Sequence, residues 1–384
     1  MSLLDGYAER LAQLKAQANL RQFSSYQQQG RFIRIGDKSM LNLASNDYLG
    51  LATDLELRTE FFDTLDLNQA RFSSSSSRLL TGNFEQYEQL EHSLSQAFGR
   101  AALLFNSGYH MNIGILPALC DSKTIILADK LVHASMIDGM RLATAQYVRY
   151  RHNDLQHLQQ LLQKYQQDEQ VERIIVVTES IFSMDGDETD LAALVRLKQR
   201  FDKTMLYVDD AHAIGVRGAR GLGCAEQYGV IEQIDFLVGT FGKALASVGG
   251  YILCDPIIRE YLINKMRPLI FSTALPPISV AWSDFMLHKV LTMHAQRQHL
   301  AEMSQYVQQA VFAKGFVSPS SSHIIPIIVG ESQAAIAKAQ QLQQQGFYAM
   351  PVRPPTVPQH SSRLRICLTT LLRKTELQQL VACL

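Results

Sequence analysis

The sequence predicts an α/β protein with a mainly parallel, seven-stranded sheet covered by helices on both faces, followed by a smaller α+β domain. Three observations lead there. Seven short runs, apolar on consecutive positions and rich in β-branched residues, recur through the middle of the chain, as strands buried on both faces should. Segments of helical period separate many of them, and strand–helix alternation implies a parallel sheet. From about Pro277 this alternation stops.

The runs are 101–105 (AALLF), 124–128 (TIILA), 146–149 (QYVR), 173–177 (RIIVV), 205–208 (MLYV), 235–238 (DFLV) and 250–253 (GYIL), and 191–201 is a clear intervening helix pattern. After Pro277 a long helical stretch runs toward Phe312 and ends at Gly315. Then come a strand at 324–329, a Gln/Ala-rich helix at 332–345, a strand at 364–368 and a final helix to Leu384. The N-terminus reads as an amphipathic helix. The domain boundaries expected are 1–45 for an N-terminal helix and arm, 46–280 for the large α/β domain and 281–384 for the small one. A run of serines, Ser73 to Ser77, reads either as a flexible linker or as an ordered, hydroxyl-rich loop. It precedes a helix from about Phe84, with Asn83 as a plausible N-cap.

The chain has 384 residues and a formal net charge of zero, and no long basic run, so neither nucleic acid nor a membrane surface is an expected partner. No stretch reaches the roughly 20 apolar residues needed to span a bilayer, and the N-terminus lacks a signal peptide's apolar core. The 5 cysteines are scattered, without a C-x-x-C pair. That fits a reducing compartment, and the cytoplasm is the expected location.

In such sheets ligands bind beyond the carboxyl ends of the strands, and four segments there carry candidate chemistry. In Val208-Asp209-Asp210-Ala211-His212, two acids and a histidine follow a strand. They read as a capped helix start, as part of a metal site, or as a carboxylate bonding a cationic ring nitrogen with a histidine beside it. In Thr240-Phe241-Gly242-Lys243 the lysine is either an ordinary surface residue or an amine that forms a Schiff base. A P-loop is excluded, because Leu237 stands where its first glycine belongs and Ala244 follows the lysine. Asn106-Ser107-Gly108-Tyr109 is a common turn or a phosphate-binding helix start, to which Ser183 and Thr240 could add hydroxyls. His133 is structural, or stacks on an aromatic ring and shuttles protons. Together these offer a Schiff-base lysine, a ring-nitrogen carboxylate, a phosphate turn and a stacking imidazole, the set that pyridoxal 5'-phosphate (PLP) requires. The acids of Asp185 to Asp187 lack the spacing of a calcium loop and read as a turn.

At this point the chain resembles the α-oxoamine synthases, a branch of the fold-type I PLP enzymes, over nearly its whole length. The segments that carry the likeness are SNDYLGL (45–51), SRLLTGN (77–83), LLFNSGYHMN (103–112), TESIFSMDGD (178–187), VDDAHAIGV (208–216), TFGKALASVGG (240–250), FSTALPP (271–277) and RPPTVP (353–358). The resemblance implies an acyltransferase that condenses an amino acid with an acyl thioester and releases carbon dioxide. RPPTVP points to the member that uses L-alanine and a pimeloyl thioester of CoA or of a carrier protein. Glycine C-acetyltransferase, 5-aminolevulinate synthase and serine palmitoyltransferase share the core, and an aminotransferase would share Lys243, Asp209 and Arg365.

The roles implied are as follows. Lys243 holds the cofactor and transfers protons, Asp209 keeps the pyridine nitrogen protonated, His212 touches the ring hydroxyl, and His133 stacks over the ring. Gly108, Tyr109, Ser183 and Thr240 surround the cofactor and its phosphate. Arg365 takes the amino-acid carboxylate, a bidentate task suited to arginine, while Asn46 and Glu179 orient substrate. Arg21, His133 and Thr356 match substrate-contacting positions, with Arg21 suited to a carboxylate on the acyl chain. No metal is implied. Family members are homodimers with the site at the subunit boundary, where Ser272 or Thr273 would reach the partner's cofactor. Two positions depart from the pattern: SSSSSR replaces a glycine-rich loop, and Tyr109 replaces another aromatic.

Overall fold

A computed structural model describes residues 3–68 and 70–384. The chain divides into two compact units. One comprises Asp54–Ser183 and Glu188–Arg297, and the other the chain up to Thr53 with Met184–Asp187 and Gln298–Leu384.

The larger unit is built on one seven-stranded sheet. Its strands are β1 (Ala101–Phe105), β2 (Thr124–Asp129), β3 (Gln146–Tyr150), β4 (Arg173–Glu179), β5 (Thr204–Asp209), β6 (Phe236–Thr240) and β7 (Gly250–Cys254), in the order β1-β7-β6-β5-β4-β2-β3. Strands β2 to β6 pair in parallel. β7 alone runs against both of its neighbours. All seven apolar runs became strands, and the consecutive apolar positions are buried on both faces, as in β2 and β6. The exception is β3, with mostly exposed Gln146–Arg149, and it lies at the sheet edge, where polar side chains discourage pairing with other chains.

Helices Gly108–Leu119 and Ala134–Leu142 pack on one face. Their Met111, Ile115, Met136 and Met140 meet Phe105, Ile126, Val177 and Val238 in a continuous core. Because β2, β4, β5 and β6 run the same way, Asp129, Glu179, Asp209 and Thr240 all end on one rim.

The smaller unit holds two sheets. Ile324–Gly330, Ser362–Cys367 and Met350–Val352 form an antiparallel sheet. The strands Gln27–Gln29, Phe32–Ile35 and Lys38–Asn42 form a second one, joined in parallel by Phe347–Tyr348. Thus the arm after the first helix is itself a sheet, a feature its polar composition did not announce. The first helix, Asp5–Ala16, buries no residue, and Tyr7 and Leu11 on it are exposed. Among the described residues no helix is long and apolar enough to cross a membrane.

Two local expectations need correction. The long C-terminal helix is two helices, Pro277–Thr292 and His294–Ala313, broken at Met293. At the break the Val290 carbonyl accepts from the Met293 amide at 3.1 Å and also from the Arg297 guanidinium at 2.7 Å, so Arg297 on the second helix ties back to the end of the first. The helix Glu85–Phe98 is preceded by Phe84, not capped by Asn83. Asn83 instead accepts a hydrogen bond from Arg78 at 2.8 Å.

The serine run is an ordered loop. Ser74 is buried and donates to the Leu275 carbonyl at 2.6 Å, and Ser76 accepts from the Thr81 amide at 3.2 Å. Arg78 closes it onto Glu91 at 2.6 Å; Arg259 reaches the other oxygen of Glu91 at 2.8 Å. The Leu104 amide of β1 also donates to Glu91. Removing one partner of a buried ion pair leaves the other charges uncompensated. Glu91→Gln is therefore expected to lower unfolding stability by about 3 kcal/mol, read as a fall in urea midpoint; an unchanged midpoint would contradict the arrangement.

Candidate active site

Strand ends and helix starts converge on the rim of the large sheet, around a cavity of about 190 Å³. Lys243, Asp209, His212, His133, Gly108, Tyr109 and Thr240 all line it. These are the residues singled out from four separate segments of sequence, and the fold brings them to one place.

Asp209 is the last residue of β5 and is only 8% exposed. One carboxylate oxygen accepts from the Ala211 amide at 3.0 Å and the other from the Asn112 side chain at 3.0 Å. Asp210 beside it does a different job. It accepts from the Ser180 hydroxyl and from the Cys224 and Ala225 amides at 3.3 and 3.4 Å, so it secures the start of the Cys224–Gln227 helix. Burial pushes its carboxyl up to about 6. The two adjacent acids thus divide the alternatives between them: one carboxylate faces the cavity and the other caps a helix.

Lys243 stands in a tight arch. Thr240 of β6 pairs with Gly250 of β7, so residues 241–249 form a loop closed at its base. Inside it the Thr240 hydroxyl donates to the Gly249 carbonyl at 2.8 Å and accepts from the Gly242 amide at 3.2 Å. The Ala246 amide bonds the Lys243 carbonyl at 2.9 Å. Ala246 is held at φ 47°, a left-handed conformation unusual for a residue with a Cβ, and the Trp282 indole donates to its carbonyl at 3.0 Å. The Lys243 amine lies 2.9 Å from His212 Nε2.

Helix Gly108–Leu119 begins at the cavity, with Ser107 as its N-cap. A Cβ on Gly250 would stand 3.0 Å from the Gly108 amide nitrogen, so glycine on β7 lets the helix start approach the sheet. Tyr109 stays exposed at the mouth. Its hydroxyl donates to Asp138, and its ring meets His133 edge-on, with centroids 6.5 Å apart. His133 is both structural and cavity-lining, for its Nδ1 caps the Ala134–Leu142 helix by accepting from the Ser135 amide. Burial, ahead of the opposing influence of Asp209, lowers its pKa below the usual imidazole value.

Glu179 lines the same cavity. Its carboxyl is held well above the ordinary range, first by burial and then by the nearby Asp209 charge. One of its oxygens, Oε1, is buried without a hydrogen-bond partner. A buried acceptor left unmatched beside a cavity is what a bound ligand would satisfy. Ser183 is buried nearby, and its backbone amide bonds Glu179.

The remaining expected residues belong to the smaller unit. Arg365 donates to Asn46 at 2.9 Å, and Tyr48 donates to the same Asn46 oxygen at 3.1 Å. Arg21 donates to Thr356 at 2.8 Å. Arg353, the first residue of RPPTVP, bonds the Ala18 and Leu20 carbonyls and so fixes the chain on which Arg21 stands. Asp185 of the acidic turn pairs with Arg363. Three residues of the cavity network went unremarked in the sequence: Asn112, Ser135 and Tyr207. A polar Asn112 inside the apolar run MNIGIL was the available signal.

Comparison with known proteins decides the family. The profile of aminotransferase class I and II matches residues 38–384. The 8-amino-7-oxononanoate synthase of Haemophilus ducreyi is 54% identical over 387 aligned positions, covering 98% of this chain and 99% of that protein. The chain belongs to the 8-amino-7-oxononanoate synthase branch of this aminotransferase family. A putative synthase of the branch from Pasteurella multocida is 58% identical, with 98% of each chain covered. Among solved structures, serine palmitoyltransferase from S. paucimobilis with a bound PLP–myriocin aldimine superposes with a TM-score of 0.90 at 26% identity, covering 100% of this chain and 97% of that one. The 8-amino-7-oxononanoate synthase of Francisella tularensis gives 0.76 at 27% identity, with 90% and 96% covered. The fold is therefore that of the fold-type I PLP transferases, as the sequence predicts.

The residues present fit PLP. An amine, a deeply set carboxylate, a glycine at a helix start and an unmatched buried oxygen all border one cavity. Glu179 offers a test that needs no substrate. A carboxyl whose folded pKa is raised contributes stability below its unfolded pKa, near 4.5, and loses it as pH rises toward the folded value. In the full chain without PLP, Glu179→Gln is expected to gain stability relative to wild type as pH rises above about 5. A constant difference across urea titrations in that range would show that Glu179 ionises normally.

Proposed function

We propose that this protein is a PLP-dependent acyltransferase that joins L-alanine to a pimeloyl thioester and forms 8-amino-7-oxononanoate, carbon dioxide and free thiol. The observation that carries the reading is the Lys243 amine and the Asp209 carboxylate on one cavity, in a chain that matches named synthases along nearly their full length. The product named is the one used in biotin biosynthesis.

PLP, when bound, supplies an electron-withdrawing ring that stabilises negative charge on the α-carbon of the amino acid. The protein's residues do the rest. Lys243 holds the cofactor through its amine and then takes the α-proton of alanine. His212, 2.9 Å from that amine, orients it and meets the ring hydroxyl. Asp209, already anchored by two donors, keeps a proton on the ring nitrogen. His133 would lie over the ring, and Gly108, Tyr109, Ser183 and Thr240 would hold the cofactor and its phosphate. Arg365 receives the amino-acid carboxylate, with Asn46 and Glu179 as orienting groups. Arg21 and Thr356, already bonded to one another, receive the far carboxylate of the acyl chain. The new bond joins the alanine α-carbon to the acyl carbonyl carbon, and the carbon–sulfur bond breaks. The alanine carboxylate leaves as carbon dioxide, the proton held by Lys243 returns to the α-carbon in its place, and the expelled thiolate takes a proton from water. The working form is a cytoplasmic homodimer in which Ser272 or Thr273 faces the partner's cofactor.

A matrix of amino acids against acyl thioesters, scored by thiol and carbon dioxide release, tests the reading. Alanine with pimeloyl-CoA or pimeloyl carrier protein is expected to be fastest, and the two donors are compared directly. Transamination without thiol release would overturn it, and preference for glycine with acetyl-CoA would move the chain elsewhere in the branch. Lys243→Ala is expected to reduce turnover by at least about 1,000-fold; wild-type turnover in that variant refutes the assignment of the lysine.

A further inference from the structure

From behind the cavity to its lining runs a chain of hydrogen bonds, three members of which have no direct part in the proposed reaction. Its members are Tyr207, Asn112, Asp209, Ser135 and His133. Tyr207, Asn112 and Ser135 are each at most 2% exposed, so water does not offer substitute partners and each bond has a defined direction.

The directions follow from elementary chemistry. An ionised carboxylate only accepts. Asn112 must therefore turn its amide nitrogen toward Asp209, at 3.0 Å. Its oxygen then faces Tyr207, whose hydroxyl donates at 2.5 Å. The second hydrogen on the Asn112 nitrogen goes to the Ser135 hydroxyl oxygen at 2.9 Å. The Ser135 backbone amide, which can only donate, lies 3.3 Å from His133 Nδ1, so that nitrogen accepts, and the Ser135 hydroxyl 2.8 Å away donates to it. Two donors on Nδ1 leave the single proton of a neutral imidazole on Nε2.

We infer that Asn112 and Ser135 are positioning residues that couple the Asp209 carboxylate to His133 and fix the His133 proton on Nε2. The coupling matters to catalysis only if the PLP reading holds, since it presets the two groups assigned to the ring nitrogen and the ring face. The hydrogen-bond direction itself is a property of the protein alone. The Asp209 carboxylate sets the direction at Asn112, and the Ser135 backbone amide sets it at His133.

The test is nitrogen NMR of the full chain carrying ¹⁵N-labelled histidine, with and without PLP, His133→Asn serving to assign the ring. In wild type, Nδ1 of His133 is expected to show the signal of an unprotonated nitrogen and Nε2 that of an N–H. Ser135→Ala is expected to shift both toward a mixture of tautomers, and Ser135→Thr to restore them. In turnover, Ser135→Ala is expected to lower kcat about tenfold with the amino-acid KM within about twofold, again rescued by Ser135→Thr. A proton on Nδ1 in wild type, or unchanged ring signals in Ser135→Ala, overturns the inference. If Ser135→Ala does not fold, the wild-type tautomer decides alone. Ring signals as expected, without thiol release from any acyl donor, would sink the proposed reaction and leave the coupling standing.

Discussion

Burying a carboxylate at the end of a parallel strand is costly unless every lone pair it exposes is matched. Asp209 meets part of that constraint with one backbone amide and one side-chain amide, one on each oxygen, and its remaining acceptor sites border the cavity. Much else follows from it. Asn112 has to be polar in an apolar helix, that helix has to approach the sheet closely, and Gly250 on β7, two strands away, makes the approach possible. Glu179, on the next strand over, is kept from ionising partly by the same charge.

The large sheet was legible because its signal is local. Each strand is a short apolar run, and double-sided burial needs nothing else. The residues that line the cavity were legible for a related reason, since a chemical group placed just after such a run has few structural excuses. Asp210 shows where that logic runs out. It is adjacent to Asp209 and chemically identical, and only the turn geometry sends one to the cavity and the other to a helix start. The break at Met293 was equally hidden, because the residue that resolves it, Arg297, acts backward across the gap. The arm strands at 27–42 were missed because they are only 3, 4 and 5 residues long, too short to establish a period.

The serine run carries a wider lesson about composition. Low complexity describes the residues and says nothing of their neighbours. Here Arg78, Glu91 and Arg259 supply the order that serines alone would not, and the hydroxyls then bond inward to backbone groups. Each of the two compact units likewise carries its own polar framework, one around Asp209 and one around Asn46, Tyr48 and Arg365.

The single reversed strand, β7, has a mechanical consequence. Since it returns beside β6, the arch bearing Lys243 has both feet planted on adjacent ladder positions, Thr240 and Gly250. Hydrogen bonds within the arch add to that closure and restrain its backbone. The reach of the amine then comes chiefly from rotation within its flexible four-carbon stem. The topology thus separates a stationary mounting from a quick arm, and the sheet itself serves as the bearing.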